Sequence, residues 1–196
     1  MIYGTIPSVG DRVSRLVLGS VSFSTERQAV ANALLDTFVE AGGTAIDTAH
    51  GYGRGASERA IGAWLRERDC RANVVIITKG AHHASDGTKR VNPEAIIHDL
   101  TESLERLQVE TVDLYLLHRD DPSVPVGPTV ECLHAHWAAG RIRAYGGSNW
   151  THQRLEEANA YAAAHGLQPF VASSPNLALA IPNEPMWPDC LSIAGD

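Results

Sequence analysis

Four side chains with complementary proton chemistry stand at the ends of apolar runs in this chain. Asp47 and Tyr52 lie in Asp47-Thr48-Ala49-His50-Gly51-Tyr52-Gly53, Lys79 in Thr78-Lys79-Gly80, and His118 in Leu116-Leu117-His118-Arg119. A fourth motif, Gly147-Ser148-Asn149, closes a further run. Each run reads as a buried β-strand, so each polar residue falls at a strand's C-terminal end. In a (β/α) barrel those ends share one face, and residues distant in sequence meet there. Asp, Tyr, Lys and His in one mouth suit proton transfer to a carbonyl oxygen. A free phenol titrates near pH 10 and is a slow donor at neutral pH. An adjacent ammonium stabilises the phenolate and makes the proton easier to give. Lys79 is placed to supply that charge to Tyr52, Asp47 to pair with Lys79, and His118 to hydrogen-bond a substrate carbonyl.

Such convergence needs a scaffold, and strand-like and helix-like segments alternate along the whole chain. Residues 14–20, 44–49, 73–79, 112–118, 142–148 and 169–174 are short, apolar and largely unalternated, as strands buried on both faces are. Helices are predicted over 25–41, 57–68, 93–107, 129–139 and 151–165. Thr25 and Gln28 have capping-box spacing, Ser57 reads as an N-cap, and Asn92 caps a helix whose first position is Pro93. Ile96, Ile97, Leu100, Leu104 and Leu107 make one apolar stripe. Strand starts recur at roughly 30 residues, the length of one βα unit. Six strands and five helices result, with no linker or low-complexity segment between them. The fold class is therefore α/β, of the (β/α)8 TIM-barrel type, in a single domain over 1–196.

Composition narrows the function. A net charge of −7 with no basic stripe argues against nucleic acid. No apolar run is long enough to span a bilayer, and no signal peptide is recognisable at the N-terminus. Cys70, Cys132 and Cys190 are odd in number and widely spaced, which is neither a disulfide framework nor a zinc set, and a reducing, cytoplasmic setting suits them. The histidines form no strand-borne His-x-His pair; His134 and His136 point to different helix faces, and His82 and His83 are adjacent in a loop, so no metal is expected. The run Gly51-Tyr52-Gly53-Arg54-Gly55-Ala56 matches a dinucleotide fingerprint formally. Residues 47–50 lengthen what should be a tight turn, so these glycines serve better to fold the loop back beside Tyr52. Trp64 and Trp137 read as packing residues. Trp150 reads either as packing or as pocket lining.

In this order and spacing, the four motifs resemble the aldo-keto reductase family, NADP(H)-dependent carbonyl reductases on a TIM barrel. The resemblance covers nearly the whole chain and implies roles residue by residue. Asp47, Tyr52, Lys79 and His118 would be the catalytic tetrad, acting on a small-molecule aldehyde or ketone. Ser148 and Asn149 would hold the nicotinamide carboxamide, with Gly19, Ser20 and Asp47 beside the ring. Many members carry a Gln-x-x-Tyr-Asn segment on the sixth strand. Here it is Ala172-Ser173-Ser174-Pro175-Asn176, which offers Ser174 in place of Gln. The resemblance further implies that residues 2–11 form a hairpin plugging the barrel bottom, and that loops 82–92 and 119–128 wall the pocket. A closed barrel takes about 250 residues, so the chain reads as truncated after the sixth strand. The loops that would grip the cofactor phosphates are then missing, and the open sheet edges invite self-association. An alternative reading is a non-catalytic relative acting as an interaction or regulatory subunit.

Overall fold

The structure, a computed structural model, describes residues 1–177 and 183–184. It opens with an antiparallel hairpin, β1 (Tyr3–Ile6) and β2 (Gly10–Ser14). Six parallel strands follow: β3 (Val17–Gly19), β4 (Ala45–Asp47), β5 (Val75–Gly80), β6 (Val112–Leu117), β7 (Ile142–Ser148) and β8 (Ala172–Ser174). They pair in sequence order, β3-β4-β5-β6-β7-β8. Between them run α1 (Gln28–Glu40), α2 (Ala56–Arg68), α3 (Pro93–Leu107), α4 (Gly127–Ala138) and α5 (His152–His165). The architecture is an incomplete (β/α)8 barrel, as the sequence reading expects. Cys190 and most of the Pro-rich stretch after Asn176 lie outside the described residues.

The strand alternation sets up everything else. Side chains two apart share a face. On the inner face Ala45, Ile77, Leu114, Leu116 and Ala144 form a small core. The hairpin closes it from below with Val13, Ile6 and Val9, which fits the expected plug. The outer face carries Ile46, Ile76, Tyr115, Leu117 and Tyr145 into the larger core beneath the helices. Continuing the inner parity by one step places Asp47 above Ala45 and Lys79 above Ile77. The same step places His118 above Leu116.

Local predictions were met where the cap is self-contained. Asn92 Oδ1 accepts from the Ala95 amide at 2.9 Å, with Pro93 in the first turn of α3. Thr151 caps α5 through the Arg154 amide at 3.3 Å, a cap the sequence reading did not name. Other expectations need correction. Residues 25–27 form a 3-10 turn capped by no side chain, and Gln28 donates instead to Asn32 and the Ala60 carbonyl. The N-cap of α2 is Gly55, and Ser57 is buried inside the first turn. Ser14 belongs to the hairpin, so the first barrel strand starts at Val17. Helix α4 begins at Gly127, because Pro128 is tolerated in a first turn that needs no N–H. Ile97 faces outward, and the stripe on α3 has Asp99 and Ser103 among its buried members.

Candidate active site

Backbone bonds beyond the strand ends gather the motifs into one mouth. Thr48 N donates to Ile77 O, His50 N to Lys79 O, and His118 N to Gly80 O, each at 2.8 Å. The chain then turns back through Gly53 (φ 57°), Arg54 (φ 54°) and Gly55 (φ 82°). Three successive left-handed residues are a conformation that glycine relieves. A Cβ at Gly55 would also fall 2.6 Å from the Arg106 guanidinium. The turn leaves Tyr52 hanging over Lys79, the role expected of these glycines.

Lys79 is the hub. Its side chain is 5% exposed, and its ammonium donates to Asp47 Oδ2 at 2.6 Å, Thr48 O at 2.9 Å and the Tyr52 hydroxyl at 3.3 Å. An ammonium has three protons to donate, and all three are directed. Burial raises the Asp47 carboxyl above its ordinary value, opposed by the charge and hydrogen bond of Lys79. The His118 ring meets Tyr52 edge-on at 5.8 Å between centroids, and His82 packs on its other side at 4.7 Å. Burial, and then the charges of Lys79, His82 and Arg119, push the His118 imidazole down to about 2. His118 is therefore neutral at physiological pH, and its buried Nδ1 has no hydrogen-bond partner among the described residues. Phenol, ammonium, carboxylate and neutral imidazole thus share one cluster, a set able to pass a proton and to hydrogen-bond an oxygen anion.

The other predicted residues divide. Ser148 Oγ donates to Ser174 O at 2.9 Å, and Asn149 N reaches the same carbonyl at 3.2 Å. Asn149 Nδ2 donates to His118 O at 3.1 Å, tying this polar group to the mouth. Asn149 holds a left-handed φ of 61° directly after β7, the kind of backbone strain that persists at functional sites. Gly19 lies opposite Asp47 in the sheet, and a Cβ there would meet nothing within 4 Å. Ser20 departs from the expectation of a ligand contact. It is fully buried, bonded to Asp47 O at 2.8 Å and to Ser57 Oγ at 2.7 Å, and so braces β3, β4 and α2. Trp150 resolves to packing: it is 1% exposed, against Phe170, with Nε1 donating to Arg119 O at 3.0 Å. Open space at Gly19 and the polar Ser148–Asn149–Ser174 cluster flank the mouth, while the Ser20 hydroxyl is committed elsewhere. A cavity of about 510 Å³ lies at the opposite end of the sheet, near Arg12, Asp113 and Arg143. It is remote from these polar strand ends.

Sequence reading missed the layer behind the mouth. Glu58, fully buried on α2, accepts from Thr78 at 2.7 Å. Asp99, fully buried on α3, accepts from the Ala81 amide at 2.9 Å and pairs with Arg90 at 2.6 Å. Ala81 has a left-handed φ of 56°, two residues past Lys79, and Asp99 holds it there. An acid on the apolar stripe of α3 was the available signal.

Comparison with known proteins agrees with this geometry. The model of the aldo/keto reductase family matches residues 15–192, and the chain belongs to that family. It is 32% identical over 178 residues to the aldo-keto reductase YhdN of Bacillus subtilis, covering 86% of this chain and 53% of that protein. It is also 32% identical over 180 residues to norsolorinic acid reductase A of Aspergillus parasiticus, covering 84% and 46%. Among solved structures, the thermostable aldo-keto reductase Tm1743, in complex with the inhibitor epalrestat, superposes with a TM-score of 0.75 at 28% identity. That match covers 88% of this chain and 61% of the other. The chain spans about half the length of the curated relatives it matches. No helix among the described residues is long and apolar enough to cross a membrane.

Proposed function

We propose that this chain carries the catalytic half of an NADPH-dependent carbonyl reductase, with Tyr52 as proton donor to an aldehyde or ketone. The single observation that carries the reading is the contact of the Lys79 ammonium with both the Tyr52 hydroxyl and Asp47. The cofactor would supply the hydride to the carbonyl carbon, moving the C=O π pair onto oxygen. Tyr52 then gives its phenolic proton to that oxygen, and Lys79 stabilises the phenolate left behind. Asp47 keeps Lys79 charged and aimed. Neutral His118 donates a hydrogen bond to the same oxygen and fixes the carbonyl in place. The nicotinamide side would rest on Gly19, Asp47, Ser148, Asn149 and Ser174, and loops 82–92 and 119–128 would wall the substrate. A reducing cytoplasm, where NADPH is maintained, suits this chemistry.

Titration of the 196-residue chain with NADPH, followed by nucleotide fluorescence, tests the reading. Saturable binding by both the native chain and Tyr52→Phe, with aldehyde turnover lowered at least about 100-fold by the substitution, is the expected result. A folded chain that binds no NADPH removes the claim that this half holds the cofactor. In a second reading the chain serves as an interaction or regulatory subunit. Turnover would then be absent from the native chain as well.

A further inference from the structure

Behind Tyr52, two histidines and two acids from separate elements stand in an arrangement that the reductase chemistry does not use. His50 comes from the loop carrying Tyr52, two residues before it, and His98 and Glu102 lie one turn apart on α3. Residues four apart on a helix present neighbouring side chains. His50 Nε2 is 2.7 Å from Glu102 Oε2, and His98 Nε2 is 3.8 Å from Glu102 Oε1. One ligand atom from each of the three residues falls within 4.8 Å of the others.

The opposite ring atoms supply an independent argument. His98 Nδ1 is 3.1 Å from Asp99 Oδ1, and His50 Nδ1 is 3.6 Å from Asp99 Oδ2. One fully buried carboxylate thus faces the Nδ1 side of both imidazoles and turns both Nε2 atoms toward Glu102. A carboxylate behind the far nitrogen is how ligating histidines are usually oriented and their tautomer fixed. Arg106, which also contacts Glu102, keeps the His50 carbonyl at 3.1 Å and Glu58 at 3.4 Å if Glu102 is drawn away. The His98 side chain is 60% exposed, which gives an ion a route in and lets the ring adjust.

We propose that His50, His98 and Glu102 form a binding site for a borderline first-row divalent cation of the Zn²⁺ class, tying the Tyr52 loop to α3. Two imidazoles and one carboxylate suit Zn²⁺, Co²⁺ or Ni²⁺ rather than the all-oxygen preference of Mg²⁺ or Ca²⁺. Three protein ligands leave further positions to water. Drawing the three atoms onto a tetrahedral ion requires separations of about 3.4 Å, within reach of the exposed His98 ring. The ion would lie on the helix side of the loop and take no part in proton transfer, so the proposal stands whether or not the chain reduces carbonyls.

The test uses the full chain, free of any histidine tag and stripped with chelator, titrated with Co²⁺ and followed by its visible absorption. One equivalent of Co²⁺ should bind with a four- or five-coordinate spectrum, be displaced by Zn²⁺ and be unaffected by excess Mg²⁺. His98→Ala and Glu102→Gln, each with an unchanged far-UV circular dichroism spectrum, should weaken binding by at least about tenfold. Zn²⁺ should raise the thermal midpoint of the native chain and of neither variant. Absence of a Co²⁺ signal, equal affinity in native and variant chains, or displacement by Mg²⁺ would each overturn the proposal.

Discussion

At the scale of single residues the mouth is governed by two buried ionisable groups whose partners decide their state. Lys79 is buried and Asp47 half-buried against it, so removing one leaves the other uncompensated. Lys79→Met is expected to cost about 3 kcal/mol in urea unfolding at neutral pH. Burial already favours a neutral Asp47, so protonation relieves the stranded acid and the deficit shrinks as pH falls toward the carboxylate range. Adding Asp47→Asn should recover about 1 kcal/mol or more at neutral pH; additive losses would show the pair to be uncoupled. His118 gives the opposite pH signature. It stays neutral when folded, down to about 2, but charges near 6.5 when unfolded. Below about pH 6.5 the unfolded chain binds the extra proton, and stability declines as pH falls by up to about 1.4 kcal/mol per unit. His118→Gln should flatten that part of the profile between about pH 6.5 and 5; an unchanged slope would place the titration elsewhere. Asp47, Lys79 and His118 were legible in the sequence because each ends an apolar run, and Tyr52 because it lies in the motif that follows Asp47. The neutrality of His118 was not, since it comes first from burial and then from Lys79 and His82, which only the fold brings close.

At the scale of elements, signals held where a motif closes on itself and failed where a tertiary partner competes. Asn92 caps α3 from within one turn, and Pro93 adds to it, so the start of that helix was readable. Asn92→Ala is expected to cost about 1 kcal/mol in chemical unfolding. Thr25 and Gln28 have the same kind of local signature, yet the Gln28 amide is drawn across to the Ala60 carbonyl on α2. Ser57 is likewise claimed by Ser20 and Thr48. The Tyr52 loop shows how tightly such an element is bounded. Gly55 combines a φ of 82° with Arg106 against its missing side chain, and Arg106 is pinned by Glu58, Glu102 and the His50 carbonyl. Gly55→Ala should therefore destabilise by about 2 kcal/mol or more. It should also lower turnover, because the displaced loop carries Tyr52 off Lys79. A variant with native stability would show that the turn adapts. Spacing in the sequence revealed the strands, but the brace from Asp99 to Ala81 joins residues 18 apart through a reverse-facing loop that periodicity cannot register.

For the whole molecule, sheet order was readable because each βα unit returns the chain beside the strand before it, with consecutive strands parallel and adjacent. Among the described residues the sheet has two outer strands, β3 and β8, each with one neighbour. Leu16, Val17 and Val21, at or beside β3, are 69%, 44% and 67% exposed. An unpaired strand flanked by exposed apolar side chains is a template for another chain. We propose that the 196-residue chain associates through this edge in solution. Sedimentation velocity should show a weight-average coefficient that rises with concentration. Val17→Lys, which sets a charge on the inner side of the edge, should shift the population toward monomer while leaving the inner core of Ile77, Leu114 and Leu116 in place. Native and variant chains that both sediment as monomers at every concentration would exclude the association. In that case the exposed edge is tolerated because β3 is only three residues long, too short to offer a partner a stable ladder.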